Sequence, residues 1–228
     1  MSESIYISPS SQPANTYAVG NTNEQEQCRK IGAALNTELD RCGFKSYVGL
    51  TGTMYTRVAE SNKLGVGLHM PIHTNGFDGT VAGLRIMIHH KGGEAEEIAK
   101  AIMATLAPIT PGKSDGISCY PNLYEISDSD AICVYIEVGF HDNPEEAQWI
   151  IDHTQDIAVA IAKGLCNHYG VKYVEAQNEA ETPVQESTDD KKFYRVQVGA
   201  FKNRKYAENL RDELKGKGYN AFLVEVEV

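Results

Sequence analysis

Short apolar runs alternate with stretches of helical periodicity up to residue 169, and this alternation limits the fold more than any other property of the chain. SIYI (4–7), FKSYVGL (44–50), GVGLHMPIH (65–73), GLRIMIHH (83–90) and ICVYIEVGF (132–140) are of strand length and bounded by turn residues. Residues 22–42, 53–64 and 93–107 repeat apolar positions at helical spacing, and two more helices fit across 144–169. Strands exchanged with helices in this way predict an α/β domain on a mostly parallel open sheet with helices on both faces. Ligands of such sheets sit beyond the carboxyl ends of the strands.

The pattern stops near Tyr173. Residues 174–190, VEAQNEAETPVQESTDD, hold six acidic residues and no basic one, so they read as a solvated linker between a domain at 1–173 and a tail at 191–228. In the tail, FYRVQVGAF alternates, KNRKYAENLRDELKGKG carries a helical stripe of Tyr206, Leu210 and Leu214, and YNAFLVEVEV alternates again. That is a small βαβ piece, below the ~40 residues under which a chain usually needs disulfides, metal or oligomerisation to fold. Its apolar residues, among them Phe193, Val196, Val198 and Phe201, predict that two tails pair as a homodimer or that the tail lies against the domain.

Charge and cysteine usage exclude several classes. The tail has nine Lys/Arg against five Asp/Glu, a local +4 that leaves −14 for the rest of a net −10 chain. So small a positive charge, placed among apolar alternation, does not fit a nucleic-acid partner. The cysteines (Cys28, Cys42, Cys119, Cys133 and Cys166) are five and lack a C-x-x-C pair, which argues for free thiols and against a disulfide framework or a thiolate zinc site. MSESIYISPS has no basic start, apolar core or cleavage site, and no segment approaches the ~20 apolar residues of a span. The expectation is a protein made in the cytoplasm without a signal peptide and without a membrane span.

Three polar residues stand in apolar frames. Thr22 and Gln25 have capping-box spacing, which predicts a helix start at Thr22. The stripe Cys28, Ile31, Leu35, Leu39 puts Glu24 on the buried face. A carboxylate there suits the helix dipole and either reaches solvent or needs a cation or several donors. His73 closes the strand GVGLHMPIH just before a turn, at the carboxyl edge, as a structural histidine or a ligand. His69 lies on the same face, ~13 Å away by strand rise, and cannot share a metal with His73 in an unbroken strand. Glu137 interrupts the most apolar run, where burial would raise its pKa into the range useful for proton transfer.

RVAESNKLGVGLHMPIHTN (57–75) is similar to the block R-x-x-x-A-N…D-L-x-I-S-I-H-A-N of the zinc-dependent N-acetylmuramoyl-L-alanine amidases. AICVYIEVGFHDNPEEAQWI (131–150) resembles their A-x-L-V-E-x-G-F-x-S-N block, and the resemblance runs across residues 5–170. It implies a hydrolase of bacterial peptidoglycan with zinc as cofactor, Glu24 and His73 as two of its ligands and Glu137 as the catalytic glutamate. In SPSSQPAN (8–15), similar to S-P-S-x-Q-x-H-N of one branch, Ala14 stands where a further zinc histidine is expected. A catalytic zinc normally has three protein ligands. His141 as a substitute, a weakened working site and a domain without catalysis are the three accounts. The tail resembles a SPOR repeat cut short, which implies binding to peptidoglycan glycan strands. Together these imply an endolysin or autolysin that reaches the wall after release or lysis, or an amidase-like domain kept for wall binding.

Overall fold

The structure, a computed structural model, describes residues 4–114, 116–176, 204–216 and 221–225. The chain divides into two compact units, Met1–Gln177 and Asn178–Val228.

The first unit is an α/β layer structure. Its strands are β1 (Ser4–Pro9), β2 (Lys45–Val48), β3 (Leu68–Asn75), β4 (Arg85–Ile88), β5 (Gly116–Cys119), β6 (Ile132–Cys133) and β7 (Tyr135–Phe140). They form one sheet in the order β2-β1-β3-β7-β4-β5, with β6 also beside β3. β2, β1, β3 and β7 run parallel, whereas β4 is antiparallel to β7 and carries β5 parallel to itself. The helices are α1 (Glu24–Arg41), α2 (Met54–Leu64), α3 (Glu94–Leu106), α4 (Tyr124–Ser127), α5 (Pro144–Asp152) and α6 (Thr154–Tyr169).

Strand pleating sorts side chains onto two unlike faces. Ile5, Ile7, Leu68, Met70, Ile72, Ile136 and Val138 join the buried residues of α1, α3 and α6 in the main core. The opposite face carries Tyr6, Ser8, His69, His73, Tyr135 and Glu137, and is covered by α2 and the four-residue α4. That polar face leads at its carboxyl end to the candidate site.

Several boundaries differ from the sequence reading; β3, expected to close at His73, starts at Leu68 and runs two residues further, to Asn75. Helix α1 is capped by Asn23, whose Oδ1 accepts from Glu26 N at 3.0 Å, and not by Thr22. Asn caps at least as well as Thr, and Thr22 is committed instead to Glu26 Oε2 and Gln27 Nε2. The run ICVYIEVGF divides at Val134 into β6 and β7. Neither β5 nor α4 has a counterpart in the periodicity: each is four residues long and lies in a mostly polar stretch of the sequence.

Helices α3 and α6 meet through Gly164. A Cβ there would lie 2.6 Å from Ile102 Cα and 2.9 Å from Ala101 O, both backbone atoms that cannot swing aside. Gly164→Ala is therefore expected to force the helices apart and cost about 1–3 kcal/mol, partly offset by alanine's better helix propensity of about 1 kcal/mol. Thermal unfolding checks this: a midpoint equal to or above the parent's would mean that the two helices pack more loosely.

The second unit shows α7 (Arg204–Gly216), with an i,i+4 pair of Arg204 and Glu208 at 3.1 Å. Residues 221–225 are in no strand. The strand expected at 193–201, most of the acidic linker and four of the apolar residues argued to pair two tails (Phe193, Val196, Val198, Phe201) lie outside the described residues. Among the described residues no helix is long and apolar enough to cross a membrane.

Candidate functional site

The loop after β1 builds one wall of the site. Ser10 N bonds Ile72 O at 2.8 Å, which carries the loop over the end of β3. Residues 16–23 then fold back on themselves, with Tyr17 N to Thr22 O at 3.0 Å and Gly20 and Asn21 at φ of 80° and 46°. Only glycine and, less readily, asparagine enter that left-handed region cheaply. The turn delivers the first residue of α1, Glu24, to the sheet's carboxyl edge, with no solvent exposure.

Glu24 answers its burial with three donors. Oε1 accepts from His73 Nδ1 at 2.9 Å and from Thr74 N at 3.4 Å, and Oε2 accepts from Asn15 Nδ2 at 2.5 Å. Burial pushes its pKa up, but the His73 bond and charge together with Asn15 and Ser10 outweigh it, and the net shift is downward.

His73 is bound at both ring nitrogens. Nδ1 faces Glu24 and, at 3.3 Å, Gln12 Nε2, while Nε2 lies 3.2 Å from Glu125 Oε2. The ring stacks on Tyr135 with centroids 4.5 Å apart. Burial opposes its charge, yet the hydrogen bonds to Glu125 and Glu24 and the charge of Glu137 prevail and raise its pKa to about 9.

Glu137 stands opposite His73 in the β3–β7 register and opposite Arg85 in the β7–β4 register. Its Oε2 is buried and has no hydrogen-bond partner. Burial lifts its pKa to about 7 against the lowering effect of the His73 charge. A carboxylate that binds a proton this readily, on a partly open polar wall, is suited to take a proton from a reacting group.

Glu24, His73, Glu137, Gln12, Asn15 and His141 line one cavity of about 320 Å³. His141 is buried and stacked on Tyr17, with Nδ1 3.0 Å from Thr74 O. If that contact carries the proton, Nε2 is left as an acceptor beside Gly76, which lines the same cavity. Ala14 is exposed on a turn, and the side chains that this loop turns into the cavity belong to Gln12 and Asn15. His69 lies outside the cavity, fully buried and stacked on Tyr6. Periodicity did not single out Gln12, Asn15 or Glu125, since each acts through partners distant in sequence.

The donor types suit a zinc ion in part. Glu24 and His73 present a carboxylate and an imidazole nitrogen on a polar cavity, as zinc sites do, and Glu137 brings an unpaired oxygen to the same space. Among the described residues no group of three or more His, Cys, Asp and Glu side chains is placed to hold one metal ion. Of the residues that line the cavity, Glu24 and His73 are in direct contact, at 2.9 Å.

Comparison with known proteins bears on what such a site is for. No curated protein matches the chain. Among solved structures, the chain is similar to the catalytic domain of CwlV, an N-acetylmuramoyl-L-alanine amidase from Bacillus (Paenibacillus) polymyxa var. colistinus, at 18% identity and TM-score 0.66, over 75% of this chain and 99% of that one. It is similar to the amidase AmiC2 of Nostoc punctiforme at 19% identity and TM-score 0.65, over 74% and 97%. The catalytic domain of the CD27L endolysin, which targets Clostridia difficile, matches at 19% identity and TM-score 0.63, over 76% and 99%. At such identities these three establish the fold. The profile described as SPOR domain matches residues 190–227. The profile described as N-acetylmuramoyl-L-alanine amidase matches residues 5–167, well over half of the chain, and the chain belongs to that family.

Proposed function

We propose that this chain hydrolyses the amide that joins the lactyl group of N-acetylmuramic acid to L-Ala of the peptidoglycan stem peptide, with Glu137 as its proton-transfer group and Glu24 and His73 as the protein donors to zinc. The observation that carries this reading is the register of β3 and β7, which sets a carboxylate with one unpaired oxygen and a pKa of about 7 beside the Glu24–His73 pair. Residues 1–173 form the catalytic domain, 174–190 the linker and 191–228 a wall-binding tail.

Zinc held by Glu24 and His73 would supply Lewis-acid polarisation of the scissile carbonyl and a lowered pKa for the attacking water. Glu137 accepts a proton from that water as its oxygen bonds to the carbonyl carbon, and returns the proton to the amine nitrogen as the C–N bond breaks. Asn15 holds Glu24 in place by donating to its Oε2, and Gln12 lies against His73 at the cavity wall. The products are a free lactyl carboxylate on the glycan and a stem peptide with a free L-Ala amine. The bond is the same whether the chain serves as an endolysin or an autolysin.

A second reading has a specific support: Ala14, exposed on its turn, brings no donor to the cavity, which suits a domain that binds the wall without cutting it. Mass spectrometry of purified peptidoglycan, incubated with the full chain and zinc, separates the two. Stem peptides beginning with a free L-Ala amine, and glycan strands freed of them, are expected. Cosedimentation with sacculi without any released peptide would establish the binding reading instead.

A further inference from the structure

We propose that Glu125 is the positioning residue of this site: it holds the His73 imidazole by Nε2 so that Nδ1 faces Glu24 and the cavity. The proposal rests on the reading of His73 as a metal donor, but its geometry stands without a metal.

Glu125 is 2% exposed on α4, a helix of one turn. Its neighbour Ile126 packs with Met87, Cys133 and Tyr135, which seats that turn against the polar face of the sheet. The two carboxylate oxygens of Glu125 are then divided between two histidines. Oε2 lies 3.2 Å from His73 Nε2, while Oε1 accepts from Ser8 Oγ at 2.5 Å and lies 3.5 Å from His69 Nε2. Ser8 is fully buried, and His69 is fixed by its stack on Tyr6 with ring centroids 5.6 Å apart. The carboxylate is therefore held from β1 and β3 before it reaches His73.

A neutral imidazole has one donor and one acceptor nitrogen, and the partner of one nitrogen decides the role of the other. In the metal-free chain Nδ1 donates to Glu24 and Nε2 faces Glu125; Glu125 as acceptor keeps the hydrogen on Nε2, so that the proton a cation beside Glu24 would displace is the one on Nδ1. Rotating the ring by half a turn would put a carbon against each carboxylate. Tyr135, stacked on the flat side at 4.5 Å, restricts the ring further. Glu125 is absent from the cavity lining, and its hydrogen-bonded link to the site is His73. Carboxylates that orient metal-binding histidines in this way commonly contribute about 10–100-fold in metal affinity.

The test uses the full chain labelled with 15N-histidine, in its parent form and as Glu125→Gln and Glu125→Leu. In the metal-free parent, the His73 Nε2–H proton is expected as a resolved signal sheltered from exchange with water. Glu125→Leu, which offers no acceptor, should lose that shelter, and zinc affinity measured by chelator competition should fall about 10–100-fold. Glu125→Gln still offers a neutral oxygen; its Nε2–H signal should persist but move upfield, with a smaller loss of affinity. Should the Leu variant fail to fold, the shift in the Gln variant decides alone. An unmoved Nε2–H signal in Glu125→Gln overturns the proposal, as does equal zinc affinity in all folded forms. The imidazole signal is read without metal or substrate, so it tests Glu125 even for a chain that releases no stem peptide.

Discussion

Glu137→Gln is expected to lower the rate of stem-peptide release by about 10²–10⁴-fold, the usual worth of a positioned general base, while the fold stays intact. The side chain keeps its shape and loses its ability to take a proton. The buried Oε2 has no hydrogen bond to forfeit, and removing a charge from a site that resists it does not harm the core. The pH dependence follows from the same burial. A folded-state pKa of about 7, above the ordinary carboxylate value, means that the unfolded chain ionises first as pH rises. The metal-free Gln variant should thus gain stability relative to the parent between the ordinary carboxylate range and about pH 7. Activity has the opposite dependence: the parent's rate rises with pH through a midpoint at or below about 7, since a cation held by Glu24 and His73 favours the ionised form. That limb should be missing in the variant. Retention of the parent rate, measured by liquid chromatography of released stem peptides, would take Glu137 out of the chemistry.

The central strands were legible because burial on both faces leaves near-continuous apolar runs, as in SIYI and ICVYIEVGF. Edge strands carry a weaker mark: β2 was legible in FKSYVGL, whereas β5 at the other edge was not. β5 is partly exposed and four residues long, and pairing with β4 positions it. Glu24, His73 and Glu137 stood out as polar interruptions of apolar patterns, and the structure brings all three to one cavity. Glu125 did not, because the sequence around it, YEISDSD, is polar; its burial comes from Ser8, 117 residues away, and from His73, 52 residues away. The loop SPSSQPAN shows the same limit. Its sequence directs attention to Ala14, whereas the fold turns Gln12 and Asn15 inward and leaves Ala14 outside.

Replacing His73 should have a large effect of another kind, on the fold itself. In the metal-free chain, His73 lies between two buried carboxylates, Glu24 at 2.9 Å and Glu125 at 3.2 Å. Its folded pKa of about 9 is raised, so its contribution is complete below the ordinary histidine value and is lost as pH rises through about 9. Both carboxylates are shifted downward despite burial, so their contribution is complete above the ordinary carboxylate range and is lost on acidification. The combined contribution of these three groups is therefore complete between those two ordinary values. His73→Leu leaves two buried carboxylates without their common cation, a change that typically costs about 3–5 kcal/mol. The deficit should be greatest near neutral pH and shrink in acid, where Glu24 and Glu125 bind protons. Zinc should no longer raise the unfolding midpoint of the variant. His73→Gln, which can still donate one hydrogen bond, should fall between the two. Denaturant unfolding of the metal-free forms across this pH range is the measurement. A Leu variant as stable as the parent near neutral pH would mean that Asn15 and Ser8 suffice to hold the two carboxylates, and that His73 is not the cation around which this end of the sheet is built.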